Sequence, residues 1–129
     1  GFINDSDDKL YVVTNEKLYI FEKNIIKNQY YINNLKNIIY DSGKIYLFTN
    51  DLKVFNSKDL KLEKSTEIGE DYLNSYILDG NILLVKKTGY VLIGKSNLKM
   101  KEFSAEITDS IKGEDSVYLI LKNGYKKIK

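Results

Sequence analysis

Apolar residues along this chain gather in short runs that Asn, Asp, Gly and Ser interrupt, and no stripe at helical spacing extends over as many as about ten positions. Four of the runs align with one another: Asp8-Lys9-Leu10-Tyr11-Val12-Val13, Gly43-Lys44-Ile45-Tyr46-Leu47-Phe48, Gly80-Asn81-Ile82-Leu83-Leu84-Val85 and Asp115-Ser116-Val117-Tyr118-Leu119-Ile120. They recur every roughly 35 to 37 residues, a period that marks repeat architectures. Each is almost continuously apolar, which predicts a strand covered on both faces. A tight turn and a second strand follow each run. Thr14-Asn15-Glu16 leads into Lys17-Leu18-Tyr19-Ile20-Phe21, Thr49-Asn50-Asp51 into Leu52-Lys53-Val54-Phe55, Lys87-Thr88-Gly89 into Tyr90-Val91-Leu92-Ile93, and Lys122-Asn123-Gly124 into Tyr125-Lys126-Lys127-Ile128. Asn and Gly tolerate positive φ, so these segments read as hairpins.

A more polar strand is expected after the hairpin in three units, at 28–32, 60–66 and 98–104, and in the last two apolar and polar residues alternate, as Leu60-Lys61-Leu62-Glu63 and Leu98-Lys99-Met100-Lys101. One more short strand precedes each hairpin, at 2–3, 37–40, 75–78 and 107–111. Four short strands in about 35 residues is the pattern of a propeller blade. The expected fold is therefore all-β: one β-propeller-like domain over 1–129, an array of about four short four-stranded antiparallel blades, the last one incomplete. The units are approximately 1–34, 35–71, 72–106 and 107–129, and after 125–128 nothing remains to build an outermost strand. The competing architecture is a plain antiparallel meander or sandwich with accidental periodicity. Three arrangements of the blades stay open: a small four-bladed ring, half of a ring that a second copy completes, or a piece of a longer propeller. An uncovered blade face would be apolar, and apolar faces of that size associate.

The segments Leu10-Tyr11-Val12-Val13-Thr14-Asn15 and Ile45-Tyr46-Leu47-Phe48-Thr49-Asn50 resemble blades of the broad β-propeller superfamily, with quinoprotein-like, YVTN-type and WD40-like repeats the nearest in style. The chain has no tryptophan, hence no Trp-Asp dipeptide of WD40 blades and no Ser-x-Asp-x-Gly-x-Thr-Trp box of sialidase-like propellers. It also lacks the paired glycines of kelch blades, so no subfamily is assigned and no catalytic or cofactor-binding residue is carried over. What the resemblance implies is a scaffold of the kind that most often serves as a binding platform.

Composition narrows the chemistry. The chain has 129 residues, enough for a real core, and it contains no His, Cys, Pro or Trp. Zinc sites built on Cys or His, Ser-His-Asp triads, Cys-His pairs and thiol redox chemistry are excluded. All 20 basic residues are lysines against 18 acids, a net charge of +2. Without arginine there is no bidentate phosphate recognition, and the near-balanced charge lacks the footprint of nucleic-acid binding. No run of apolar residues is long enough for a membrane span. A single alanine, Ala105, and many Ile, Val, Tyr and Thr favour strands over helices. The chain opens at Gly1 rather than a methionine, which suits a processed form or an excised domain. Exported or cell-surface placement is favoured slightly over cytoplasmic.

Few residues offer a site. Asn4-Asp5-Ser6-Asp7-Asp8 is the densest acidic stretch, but Lys9 stands where an EF-hand needs an oxygen ligand, so the stretch reads as a turn and no metal is expected. Glu67, Glu70 and Asp71 read as exposed loop acids rather than a catalytic pair. Lysines 122, 126, 127 and 129 read as protection of an edge strand. Tyr11, Tyr46 and Tyr118 hold equivalent positions and read as core filling between blades. Tyr30, Tyr31, Tyr72 and Tyr76 lie nearer loops or outer strands and are the candidate interaction surface. The expected function is non-enzymatic, with no cofactor: a scaffold for protein–protein interaction or self-assembly, its partner another protein or a second copy. The alternative is a cell-surface or exported domain that recognises glycan or peptide through those loop tyrosines.

Overall fold

The computed structural model describes residues 2–4, 9–14, 16–23, 25–32 and 34–129. Among them every regular element is a strand, and no helix is long and apolar enough to cross a membrane. Four antiparallel sheets follow one another along the chain. The first holds β1 (Phe2–Asn4), β2 (Lys9–Val13), β3 (Lys17–Glu22) and β4 (Ile25–Tyr31). The second holds β5 (Asn37–Asp41), β6 (Lys44–Phe48), β7 (Asp51–Asn56) and β8 (Leu62–Glu67). The third holds β9 (Tyr72–Ile77), β10 (Asn81–Lys86), β11 (Gly89–Gly94) and β12 (Met100–Ser104). The fourth has three strands only: β13 (Ile107–Lys112), β14 (Val117–Leu121) and β15 (Gly124–Ile128). In each sheet the strands lie side by side in chain order, the meander that short hairpin turns produce. The all-β array of four short blades with an incomplete last one is thus the observed architecture.

The chain divides into two compact units, 1–69 and 70–129, each made of two sheets. In the first unit Tyr11, Leu18 and Ile20 of one sheet pack on Ile45 and Leu47 of the other. The Tyr11 hydroxyl crosses between the sheets and donates to the Ser57 carbonyl at 2.7 Å. In the second unit Leu83, Val85 and Tyr90 pack on Val117, Leu119 and Ile128. These are the alternate positions of paired strands, so one face of each sheet enters its unit's core.

Turn chemistry sets the registers. Thr14 Oγ1 accepts from the Lys17 amide at 3.2 Å, and Thr49 Oγ1 accepts from the Asp51 amide at 3.1 Å, closing the first two hairpins with side-chain caps. The third hairpin uses Gly89 instead. A Cβ there would stand 2.0 Å from the Phe103 carbonyl oxygen, because β12 runs close alongside. Two outer strands begin later than the alternation suggests. Leu60 and Leu98 have φ of 59° and 56°, left-handed values that place them in turns rather than in strands. Their amides bond back to the carbonyls of Asn56 and Gly94 at 2.9 Å each, and Asp59 and Asn97 side chains cap the next amide. β8 and β12 therefore start two residues further on, at Leu62 and Met100. The alternation of Leu60-Lys61-Leu62 and Leu98-Lys99-Met100 mimics a strand across that turn.

The expectation of two-sided burial holds for β6 and β10, whose central residues are all buried. It does not hold for β14, where Val117 and Leu119 are buried but Tyr118 and Ile120 are only half-buried. Only one face of β14 meets the other sheet of its unit.

Candidate functional site

The four tyrosines singled out by sequence fare differently. Tyr30 and Tyr31 close β4, the outer strand of the first sheet, and are 43% and 79% exposed. They rim a cavity of about 400 Å³ in the first unit. Its floor is apolar, from Leu18, Ile32, Ile45, Leu47, Phe55 and Leu60, while Asp51 and Lys53 add one charge of each sign. The cavity is of the size that small ligands or a few side chains of a partner occupy. The Lys17 ammonium lies 4.6 Å from the centre of the Tyr31 ring. A side-chain hydrogen bond with Tyr31, and behind it the charge interaction with Tyr19, hold that ammonium above the usual lysine range. Tyr31 is therefore steadied by a cation over its face while its ring stays in solvent.

Tyr72 is not a surface residue: it is 3% exposed, and burial pushes its phenol up to about 12. The short strand before the third hairpin begins at Tyr72 rather than at 75, so a residue read as loop lies on the inward face of β9. Tyr76 is half-buried in the same strand, and its hydroxyl is engaged with Ser110 Oγ at 2.7 Å across the two sheets of the second unit. Of the four candidates, Tyr30 and Tyr31 are the two most exposed.

The other candidates are quickly placed. Residues 5–8 of the acidic stretch and Asn15 of the first turn lie outside the described residues. Among the described residues no group of three or more Asp or Glu side chains is placed to hold a metal ion. Glu67 ends β8 instead of lying in a loop, Glu70 is exposed, and Asp71 pairs with Lys86 at 3.3 Å. Tyr11 is fully buried and Tyr46 nearly so, as core-filling residues should be, but Tyr118 is half-buried with Tyr125 5.9 Å away. β15 is an edge strand of its sheet, and Lys126 and Lys127 lie over aromatic rings, 5.4 Å from Tyr90 and 5.8 Å from Tyr118. Their stems cover apolar surface in addition to charging the edge.

Sequence reasoning missed the exposed Ile25 and Ile26, 62% and 49% accessible, at the start of β4. The signal was present in the adjacent isoleucines, but the strand was expected to begin at 28, beyond them.

No protein-family model matches the chain, and no curated protein matches it in sequence. Solved structures do match in fold. The N-terminal domain of Nup159 superimposes with a TM-score of 0.76 at 10% identity, covering 97% of this chain and 39% of that one. The WD40 β-propeller domain of Doa1 gives 0.69 at 11% identity, covering 97% and 47%. The extracellular domain of a putative one-component system, BT4673 of B. thetaiotaomicron, gives 0.74 at 15% identity, covering 98% and 20%. This chain therefore spans less than half of the length of each of these solved chains. The likeness extends over nearly all of its own residues, and with the four consecutive antiparallel sheets it establishes that the chain has a β-propeller-type fold.

Proposed function

We propose that the chain is a non-enzymatic interaction module whose ligand is a protein segment. The observation that carries this reading is the cavity of about 400 Å³ in the first unit, apolar at its floor and rimmed by Tyr30 and Tyr31. Exposed aromatic rings beside an apolar recess are what partner side chains bury against, and such anchors supply most of an interface's binding energy. The mixed charges of Asp51 and Lys53 suit a polypeptide, which carries donors and acceptors along its length. A neighbour in fold supports the class of partner: in a S. cerevisiae structure that matches with a TM-score of 0.75 at 10% identity, covering 97% of this chain and 38% of that one, dbp5 is bound to nup159 and gle1. No catalytic pair enters the reading, since the groove brings together one carboxylate and one ammonium without a second acid or base.

The test is panning of the folded chain against a displayed random-peptide library. Enriched peptides should lose at least about tenfold in affinity for the Tyr30→Ala/Tyr31→Ala variant, the loss of roughly 1.4 kcal/mol expected of one anchor. No enrichment, or peptides indifferent to that variant, overturns the reading. Saturable binding on a glycan array that the same variant abolishes would assign the groove to sugars instead.

A further inference from the structure

The two packings inside the units are built from the same pair of faces. In the first sheet, Tyr11 stands opposite Ile20, and this leading face meets Ile45 and Leu47 of the second sheet. In the third sheet, Leu83 stands opposite Leu92 and Val85 opposite Tyr90, and this leading face meets Val117, Leu119 and Ile128 of the fourth. The receiving, trailing face of the second sheet is made of two cross-strand pairs, Ile45 with Phe55 and Leu47 with Lys53.

Strand alternation identifies the same faces where no sheet of the unit covers them. The leading face of the fourth sheet carries Ile120 opposite Tyr125 and Tyr118 opposite Lys127, with Ile111 beside Tyr118. Tyr125 is 68% exposed and Ile111 55%, whereas Leu83, Val85 and Tyr90 at the matching face of the third sheet are at most 4% exposed. The trailing face of the first sheet carries Leu10 opposite Phe21 and Val12 opposite Tyr19. That is the second sheet's pattern with tyrosine in place of lysine. All four are half-buried, while the matching Ile45 and Leu47 are at most 4% exposed.

We infer that the leading face of the fourth sheet docks on the trailing face of the first sheet in a second copy of this chain, head to tail. The occupant follows from chemistry on both sides. A Tyr-and-aliphatic leading face meets aliphatic–aromatic pairs on a trailing face, the combination the first unit already uses. Because the two faces differ, the contact is heterologous: each copy offers one of each, so association goes beyond a dimer, into a closed ring or an open filament. The inference rests on the reading of this chain as an interaction module; its trailing face adjoins the groove at Tyr31, which shares a face with Tyr19 and Gln29, while its leading face lies in the other unit.

Light scattering of the full chain should give a mass of at least two copies at high concentration. Tyr125→Asp disables the leading face and Tyr19→Asp the trailing one. Each variant alone should be monomeric, and an equimolar mixture should give a one-to-one dimer that grows no further, because one intact pair of faces remains. Circular dichroism and thermal melts check that both variants are folded. Should Tyr19→Asp fail to fold, exposed Gln29, opposite Tyr19 on that face, serves instead: Gln29→Cys mixed with Tyr125→Cys should form disulfide-linked pairs of unlike variants, in a chain otherwise free of cysteine. A wild-type monomer at every concentration overturns the inference. So do self-association of either Asp variant and a cysteine mixture that forms no such pairs. A monomer whose groove still selects peptides sinks only the pairing of copies, while failed panning with intact association sinks only the groove.

Discussion

Gly89→Ala and Gly124→Ala form a controlled pair. Both glycines close hairpins and have nearly the same backbone, φ of 158° and 151°. Both substitutions therefore incur a similar backbone penalty, of order 1 kcal/mol. Their surroundings differ. At Gly89 the new methyl would lie 2.0 Å from the Phe103 carbonyl oxygen and 3.1 Å from the Ser104 Cα, whereas at Gly124 nothing lies within 4 Å. The reason is the neighbouring strand: Gly89 pairs with Ser104 of β12, whereas among the described residues no strand pairs with the outer side of β15. To admit the methyl, β12 must retreat by more than an ångström, which strains the pairing of Tyr90 with Phe103, whose rings stack at 4.7 Å. Overpacking of that kind costs about 1–3 kcal/mol. Gly89→Ala should thus be less stable than Gly124→Ala by about 1–3 kcal/mol in urea titrations with unchanged slope. For a chain of this size that is roughly 4–12 °C in melting temperature. Equal losses for the two variants, within about 0.5 kcal/mol, would refute the argument that strand approach rather than backbone conformation selects glycine at 89.

Other expectations can be checked with the same assays. Tyr11→Phe keeps the ring and removes the hydroxyl that bonds Ser57 across the two sheets of the first unit, so a loss of about 1 kcal/mol is expected, and an unchanged urea midpoint would count against it. Leu119→Ala empties a fully buried position in the core of the second unit and should cost about 2–5 kcal/mol; a loss under about 1 kcal/mol would mean that this face is less tightly packed than the structure shows. Tyr72 stays neutral in the fold up to about pH 12, whereas an unfolded tyrosine ionises near pH 10. The unfolded chain releases this proton first, so the contribution is whole below about pH 10 and is lost between about pH 10 and 12. Melting temperatures of Tyr72→Phe should therefore decline less steeply over that window than those of the parent, and parallel declines would contradict a buried phenol. Lys86→Ala breaks the pair with Asp71, which is itself mostly exposed, and should shift stability by less than about 1 kcal/mol in the same titrations.

The hairpins were legible because their signals are local. Thr14 and Thr49 cap amides within three residues, and Gly124 has the positive φ that a tight turn demands. The outer strands were less legible. Leu60 and Leu98 look apolar and strand-forming, yet side-chain caps from Asp59 and Asn97 hold them in left-handed turns, a competition between local bonding and extension that alternation does not register. The candidate surface was half legible. Tyr30 and Tyr31 are exposed as expected, but Tyr72, read as lying before the strand, belongs to β9 and is buried there, beyond a register shift opposite Val85 and Lys86 that alternation does not reveal.

Taken alone, then, the sequence determined the repeating unit: its period and its hairpins follow from short-range patterning that each unit carries independently. Only the tertiary structure decided which apolar residues are interior. Leu83 and Tyr118 hold equivalent places in equivalent strands, yet Leu83 is fully buried and Tyr118 half-exposed. Burial depends on whether another sheet lies on that face, a fact about neighbours distant along the chain that no strand's own residues encode.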